Sequence, residues 1–406
     1  MGAGFPPLYA AGLTLIANTA PVAFGALGTP IITLAKVTGL PEMQLSAMAG
    51  RQLPLFSLII PAWMVCTMSG WKGLRGVWPA VLVCGGTFAT VQFLVSNFLG
   101  PSLTDVLGGV TSMLALVALL RVWRPGEVWH FAEEGTDEAA RIAVRESAPK
   151  YSRRETVRAW VPWAILSACV FLWGVPQFRI VLDSISEKRW SVPFLDGQVQ
   201  PDAAAVGGES KAKVAEFRFN WLSATGTGIL FASILSAAWL GIVPYRFGRA
   251  FMHTLHRLRE SLLTIAMMLA IAYVTQFSGT DVTLGLAFTR TGVLYPFFAA
   301  MLGWLGVALT GSDTSSNALF GNLQRITAEK LGLNPILICA SNSTGGVMGK
   351  MIDAQSIVVA SAATGQRGTE GQILRFVFWH SIVLAALVGL LTLLQAYWLP
   401  QMIPAM

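Results

Sequence analysis

The stretch Gly311-Ser312-Asp313-Thr314-Ser315-Ser316-Asn317-Ala318-Leu319-Phe320 decides how this chain must fold, because it places one carboxylate inside a long uncharged run. Twenty-two uncharged residues, 291–312, lead into Asp313, and eleven more, 314–324, follow it before Arg325. An ionisable side chain at membrane depth is costly and persists mainly where it faces a cavity, an ion path or a partner. We therefore interpret this stretch as a functional site, with a loop just outside the bilayer as the competing interpretation.

The composition indicates a polytopic membrane protein. Hydrophobic residues make up 54% of the chain and charged residues 12%, whereas a soluble domain carries about 25% charged residues. A spanning helix needs roughly 20 apolar residues. Besides 291–312 and the uncharged first 35 residues, the uncharged intervals of that length or more are 52–71, 76–104, 159–178, 219–245, 261–280 and 376–406, with 106–120 as a shorter candidate. The sequence predicts an all-α fold of membrane-crossing helices in a lipid bilayer.

The distribution of positive charge predicts an orientation and argues against nucleic-acid binding. The net charge is +7, but the basic residues lie in loops between apolar spans. The loop from Arg121 to Arg158 carries eight Lys and Arg residues, and the segment 245–260 is also basic. Short basic loops stay in the cytoplasm. We predict a multi-pass protein of the cytoplasmic membrane, with 1–122 as part of a first membrane repeat, 123–157 as a cytoplasmic loop, and 158–406 as a second repeat containing an external loop at about 178–219.

Enzymatic chemistry finds no support in the sequence. It contains no Gly-x-Ser-x-Gly elbow, no His-Glu-x-x-His helix and no phosphate-binding loop. The four cysteines lie in apolar stretches without Cys-x-x-Cys spacing, as is typical of packing residues. We expect no enzyme, no catalytic residue, no metal and no cofactor. For His380, inside the final apolar span, we favour an interhelical hydrogen bond over a proton relay.

A faint internal repeat relates the two ends of the chain. A shift of 324 residues sets the segment 18–25 against 342–349 and pairs Arg51 with Arg375. The predicted topology places Arg51 outside and Arg375 inside, so the two copies would be inverted, as in many secondary transporters. Glycine and proline interrupt both segments, and we predict that neither crosses the membrane as one continuous helix. The interrupting residues are Gly25, Gly28, Pro30, Gly345, Gly346 and Gly349.

Broken helices suggest how an anion is held. Free backbone N–H groups at a helix N-terminus, with the positive end of the macrodipole, can bind a carboxylate. Asn18, Thr19 and the run 342–344 offer short polar side chains beside the predicted breaks. Lys350 adds a cation there, and an ion pair with Asp353, at helical spacing, is an equally good interpretation of that lysine.

At these residues the sequence resembles a known family, the bacterial lactate permeases. The motifs that carry the resemblance are Ala17-Asn18-Thr19-Ala20-Pro21-Val22-Ala23-Phe24-Gly25, Gly50-Arg51-Gln52-Leu53-Pro54, Phe219-Asn220-Trp221-Leu222-Ser223-Ala224-Thr225-Gly226-Thr227, Leu309-Thr310-Gly311-Ser312-Asp313-Thr314-Ser315-Ser316-Asn317-Ala318-Leu319-Phe320 and Thr344-Gly345-Gly346-Val347-Met348-Gly349-Lys350-Met351-Ile352. The resemblance implies uptake of L-lactate, and in relatives D-lactate or glycolate, coupled to proton entry. Family members carry further membrane segments before the point where this chain begins, so reduced activity is expected of the chain alone.

The function expected from the sequence is symport of a small 2-hydroxymonocarboxylate with a proton. Asp313 is the predicted proton carrier. The residues predicted to bind substrate are Asn18, Thr19, Ser312, Thr314, Ser315, Asn317, Asn342, Ser343, Thr344 and Lys350. A channel or a cation/proton antiporter remains an alternative, since it also needs a buried acid and broken helices. The second alternative is a truncated permease that does not transport.

Overall fold

The computed structural model describes residues 5–126, 152–200, 212, 214–280, 283, 287–365 and 368–405. Its described part is almost entirely α-helical and divides into two compact units. The first unit contains α1 (Pro7–Ala17), α2 (Gly25–Thr38), α3 (Glu42–Phe98), α4 (Thr104–Val122), α9 (Tyr295–Thr310), α10 (Asp313–Lys330), α11 (Pro335–Gly349), α12 (Ala354–Ala363) and α13 (Glu370–Tyr397). The second contains α5 (Arg153–Gly174), α6 (Pro176–Ser186), β1 (Lys188–Ser191), β2 (Glu216–Phe219), α7 (Thr225–Leu240) and the start of α8 (Pro244–Ser278).

The described helices confirm an all-α polytopic membrane protein. Five of them are long and apolar enough to cross a bilayer: Glu42–Phe98, Thr104–Val122, Arg153–Gly174, Thr289–Thr310 and Glu370–Tyr397. The fourth is α9 together with the 3-10 turn Thr289–Leu294 that precedes it. The basic segment 245–260, expected as a loop, is instead the start of helix α8. Most of the predicted cytoplasmic loop 123–157 lies outside the described residues.

Helix α3 is a hairpin of two helices. Its 57 residues would extend far beyond the roughly 30 Å of a bilayer core, and the chain turns at Gly70, whose φ of 66° only glycine adopts readily. The halves then pack antiparallel, with Ser57 Oγ donating to Gln92 Oε1 at 2.7 Å and Ser46 Oγ to the Ser96 carbonyl at 2.8 Å. The two predicted spans on either side of Gly70 are therefore both present.

Helix α11 lies at the centre of the first unit. Every residue from 336 to 349 is buried. It packs on α9 so closely that a Cβ added to Gly345 would overlap the Ala300 carbonyl, and one added to Gly303 would overlap the Asn342 carbonyl. Small residues bring membrane helices into this kind of contact. Helix α13 packs on both helices. Ser381 Oγ donates to the Met348 carbonyl of α11 at 2.5 Å and accepts a hydrogen bond from Trp304 Nε1 of α9 at 2.9 Å.

Both predicted interruptions exist, but the second lies elsewhere than expected. In the first segment α1 ends at Ala17 and α2 begins at Gly25, with left-handed backbone at Leu27 and Gly28. The prediction that Gly345 and Gly346 break the second segment is wrong: α11 continues through both and ends at Gly349. Neighbouring helices allow glycine inside membrane helices, and here α9 packs directly on them. The break follows, before α12.

The proposed repeat therefore differs locally between its two copies. The shift of 324 residues pairs Asn18, at the end of α1, with Asn342, in the middle of α11. Residues 342–344 do not lie at a helix N-terminus, so the predicted anion cradle of free N–H groups beside them is wrong. The division into a first and a second inverted repeat remains a prediction.

The second unit is built around Trp173 near the end of α5. Its indole Nε1 donates to the Leu222 carbonyl at 3.0 Å, and its ring packs against Phe178 and Phe231. Gly228 on α7 leaves room for that ring. Strands β1 and β2 pair antiparallel between α6 and α7. Neither strand was predicted from the sequence.

Candidate functional site

Asp313 is the first residue of α10, at a sharp reversal of the chain. Helix α9 ends at Thr310, and Gly311 follows with a left-handed φ of 71°. Ser312 is the N-cap of α10, and its side chain accepts a hydrogen bond from the Ser315 backbone N–H at 3.3 Å. A serine cap and an acid in the first turn are the favourable arrangement for a helix start. The local sequence thus fixes where the carboxylate lies.

The Asp313 carboxylate is buried and only partly satisfied. Oδ2 accepts a hydrogen bond from Ser343 Oγ at 2.5 Å and a weak one from Asn317 Nδ2 at 3.5 Å. No donor among the described residues reaches Oδ1. That oxygen faces Gly346, where an added Cβ would overlap it. Buried polar atoms are nearly always hydrogen-bonded. Asp105 also has an oxygen without a donor within the described part of the chain, and what distinguishes Asp313 is that Ser343 and Asn317 surround it with polar groups.

A chain of side-chain amides leads away from Asp313 along the interface of α9, α10 and α11. Tyr295 OH donates to Gln324 Oε1 at 2.7 Å, and Gln324 Nε2 donates to Asn342 Oδ1 at 3.1 Å. Asn342 Nδ2 donates to Asn317 Oδ1 at 2.9 Å. The donors run in one direction from Tyr295 to Asn317, so these bonds polarise one another. Asn317 Nδ2 then donates to the Pro30 carbonyl at 3.2 Å and only weakly to Asp313.

Lys350 pairs with Asp353 and also reaches the reversal beside Asp313. Its Nζ lies 3.1 Å from Asp353 Oδ2 and donates to the Gly311 carbonyl at 2.7 Å. Asp353 is buried and caps α12 by accepting a hydrogen bond from the Ser356 N–H at 2.8 Å. The ion pair expected as one interpretation of Lys350 is therefore present. Through its bond to the Gly311 carbonyl, Lys350 links the break after α11 to the chain reversal after α9.

A cavity of about 640 Å³ borders Lys350 and the first interrupted segment. Asn18 and Lys350 line it, together with the hydroxyl-bearing residues Thr14 and Ser356 and the amide of Gln355. Asn18 is exposed and Lys350 keeps 20% of its side-chain surface accessible. The two positions expected to bind substrate from opposite ends of the chain thus meet at one cavity.

The other predicted residues separate into groups. Asn317, Asn342 and Ser343 lie around Asp313, as described above, and Ser312 caps its helix. Ser315 is buried and Thr314 half-buried in the first turn of α10. Thr19 is buried, with its hydroxyl on the Ile16 carbonyl at 2.7 Å.

Thr344 faces away from Asp313, into a second polar cluster. Its hydroxyl donates to Gln52 Oε1 at 2.6 Å, and Gln52 Nε2 donates to Gln395 Oε1 at 2.7 Å. Gln52, Gln395, Gln324 and Tyr295 were not predicted as site residues from the sequence. An amide in an otherwise apolar span was the available signal, since such groups need partners in lipid.

His380 forms the interhelical bond that the sequence favoured. Its Nδ1 accepts from Trp63 Nε1 at 3.0 Å, joining α3 to α13.

Comparison with known proteins agrees with this architecture. The sequence matches the L-lactate permease family over residues 1–399. It is 45% identical to the L-lactate permease of Escherichia coli strain K12 over all of this chain and 74% of that protein. The chain belongs to the L-lactate permease family. The family's L-lactate permease from Bacillus subtilis strain 168 is 43% identical over 100% of this chain and 74% of its own length. The glycolate permease of Escherichia coli strain K12 is 45% identical over 98% of this chain and 72% of its own length.

Membership of the permease family confirms the resemblance drawn from the sequence motifs. Two of those motifs contain the Asp313 reversal and the Lys350 break, which the structure brings together through the Gly311 carbonyl. Asn18, from another of the motifs, lines the same cavity as Lys350. Three segments separated in the sequence of this family member therefore converge on one region of the first unit.

Proposed function

We propose that this protein takes up L-lactate and related 2-hydroxymonocarboxylates, glycolate among them, together with protons across the cytoplasmic membrane. Relatives over 40% identical are named lactate and glycolate permeases, which supports the substrate class. The single observation that carries the mechanism is the buried Asp313, whose Oδ1 has no hydrogen-bond donor among the described residues.

Asp313 is the proton carrier in this proposal. Burial disfavours the charged form of a carboxyl group, and a proton on Oδ1 removes the buried charge without breaking the Ser343 bond to Oδ2. Asn317, Asn342 and Ser343 hold the carboxylate in place rather than contact substrate. Ser312, Thr314 and Ser315 shape the helix start that carries it.

Lys350 and Asn18 bind the substrate carboxylate at the cavity. Lys350 is the charged group on its lining, and an ammonium forms charge-assisted hydrogen bonds with a carboxylate. Drawing Nζ toward an anion would weaken its bond to the Gly311 carbonyl, two residues before Asp313. Substrate binding and the position of the proton carrier are thereby linked through one backbone group. Thr19 and Thr344 support the neighbouring backbone and helix contacts.

Counter-flow in proteoliposomes tests this function. Vesicles loaded with unlabelled L-lactate should take up radiolabelled L-lactate in a saturable manner, and glycolate should compete better than acetate, which lacks the 2-hydroxyl group. An imposed inward proton gradient should drive accumulation. Lactate flux that does not saturate would instead indicate a channel, and proton flux exchanged for a cation without lactate would indicate an antiporter.

A further inference from the structure

The two-stranded hairpin of the second unit has one aromatic face and one polar face. Trp190 on β1 lies directly opposite Phe217 on β2, and Phe219 lies opposite Lys188. Because side chains alternate along a strand, these residues share one face. The pairs Arg189–Arg218 and Ser191–Glu216 fall on the other face.

No described part of the protein covers the aromatic face. The exposed fractions are 50% for Trp190, 57% for Phe217 and 43% for Phe219. The three rings pack on one another, with centroids 6.0–6.4 Å apart. Phe194, just after β1, is fully exposed and holds a left-handed φ of 63°, a conformation that is costly for a bulky residue. Large aromatic surface of this kind marks an interaction site.

Short connections join the hairpin to α6 on one side and to the apolar helix α7 on the other. Strand β1 begins two residues after α6 ends at Ser186, and α7 begins at Thr225, six residues after β2 ends. Helix α5, long and apolar enough to span a bilayer, ends at Gly174. The hairpin therefore lies close in the chain to the ends of two apolar helices, α5 and α7.

Ion pairs and hydrogen bonds fix the orientation of the hairpin on those helices. Arg218 pairs with Glu187 and lies 3.6 Å from Asp183 on α6. Ser223, just before α7, donates to Asp183 Oδ1 at 2.5 Å. The same short segment is held to α5 by the Trp173 bond to the Leu222 carbonyl. The charged contacts thus leave the aromatic face free.

We propose that the aromatic face of this hairpin lies in the headgroup region of the lipid bilayer and anchors the second unit at the membrane surface. Tryptophan and other aromatic rings concentrate at that interface, where an apolar ring and a polar edge are both satisfied. The opposite face, with Arg189, Arg218 and Glu216, faces water. Lys188 shares the aromatic face at its edge, where a long stem lets the ammonium reach the headgroups.

Spin labels on the two faces test the proposal in vesicles of phosphatidylethanolamine and phosphatidylglycerol. The aromatic face is labelled at Trp190→Cys or Phe217→Cys, and the adjacent polar positions Ser191→Cys and Glu216→Cys are the matched controls. All four leave the Arg218–Glu187 pair intact. The background lacks Cys66, Cys84, Cys169 and Cys339. Collision rates with oxygen, which concentrates in lipid, and with a water-soluble nickel chelate are then measured for each label.

The expected result alternates along each strand. Labels at positions 190 and 217 should show a several-fold higher ratio of oxygen to nickel collisions than labels at 191 and 216. Equal ratios at all four positions would place both faces in water and overturn the proposal. Low collision rates with both reagents at 190 and 217 would show the face buried against protein, which would also overturn it.

Discussion

Neutral hydrogen-bond donors, not a cation, hold the Asp313 carboxylate. Ser343 donates to it, and Asn317 does so weakly, while Lys350 is engaged by Gly311 and Asp353. A serine hydroxyl can donate to a carboxylate or accept from a carboxylic acid. The surroundings of Asp313 therefore suit both protonation states, which the proposed role of proton carrier requires.

Replacing Asp313 by asparagine should uncouple transport. Asp313→Asn keeps the shape of the side chain but cannot carry a proton, so accumulation driven by a proton gradient should be lost while lactate exchange persists. Uphill uptake and counter-flow in the same proteoliposomes measure the two activities. Asp105→Asn is the matched control, because Asp105 also lies in the first turn of a helix and has an oxygen without a donor. Normal accumulation by Asp313→Asn would remove Asp313 from the mechanism.

Lys350 should contribute to substrate binding as well as to folding. A hydrogen bond to a charged group contributes about 1.5–3 kcal/mol, so Lys350→Gln should raise the KM for lactate by about tenfold or more. Concentration-dependent uptake measures this. Lys350→Gln also leaves the buried Asp353 charge unpaired, which by itself costs stability.

A double variant separates the two effects of Lys350. Asp353→Asn removes the unpaired charge and keeps an oxygen to cap α12. In Lys350→Gln with Asp353→Asn, thermal stability should recover while the KM stays raised. Recovery of both would show that Lys350 acts only through its ion pair.

At the scale of elements, the contact between α9 and α11 depends on residues without side chains. Adding a methyl group at Gly345 would force the Ala300 carbonyl away, and overpacking of this kind costs about 1–3 kcal/mol. Gly345→Ala should therefore lower the melting temperature in detergent. Gly109→Ala on α4 is the control, since a Cβ there meets open space and alanine favours the helix. Equal melting temperatures for the two variants would contradict the close packing.

The hairpin of the second unit should loosen in acid. Hydrogen bonds from Arg218 and Arg189 hold the pKa of Glu187 below its usual range. Because the folded-state pKa is lowered, the tether is fully present above the unfolded value of about 4.3 and is lost as the pH falls through the folded value. A spin label at Ser191→Cys should gain mobility when the pH falls below the folded-state pKa of Glu187. Glu187→Gln should be mobile at every pH, whereas Glu216→Gln should behave like the parent.

The sequence predicted features that are visible in residue order. Asp313 stands out because a charge interrupts an uncharged run, and the Lys350–Asp353 pair follows from their spacing. The bond between Gln324 and Asn342 could not be predicted, since it depends on how α10 packs on α11. The continuity of α11 through Gly345 and Gly346 was also hidden, because it depends on α9 as a neighbour. Local strand propensity in segments of four residues was too weak to predict β1 and β2.

At the scale of the whole molecule, the inverted repeat and the orientation in the membrane remain predictions. Five of the described helices are long and apolar enough to cross a bilayer, but the side of the membrane on which a loop lies depends on charge. Lys and Arg residues near the ends of short loops are retained in the cytoplasm. Their excess between Arg121 and Arg158 therefore sets the expected orientation.

Single cysteines can report that orientation in intact cells. Ala139→Cys lies in the predicted cytoplasmic loop and Ala204→Cys in the predicted external loop, and both positions fall outside the residues that the structure describes. In a background lacking the four native cysteines, an impermeant thiol reagent should label position 204 and leave position 139 unlabelled until the cells are opened. The basic excess at the first loop is the physical reason for this order of labelling. Labelling of position 139 in intact cells would contradict the predicted orientation and remove the topological support for inverted repeats.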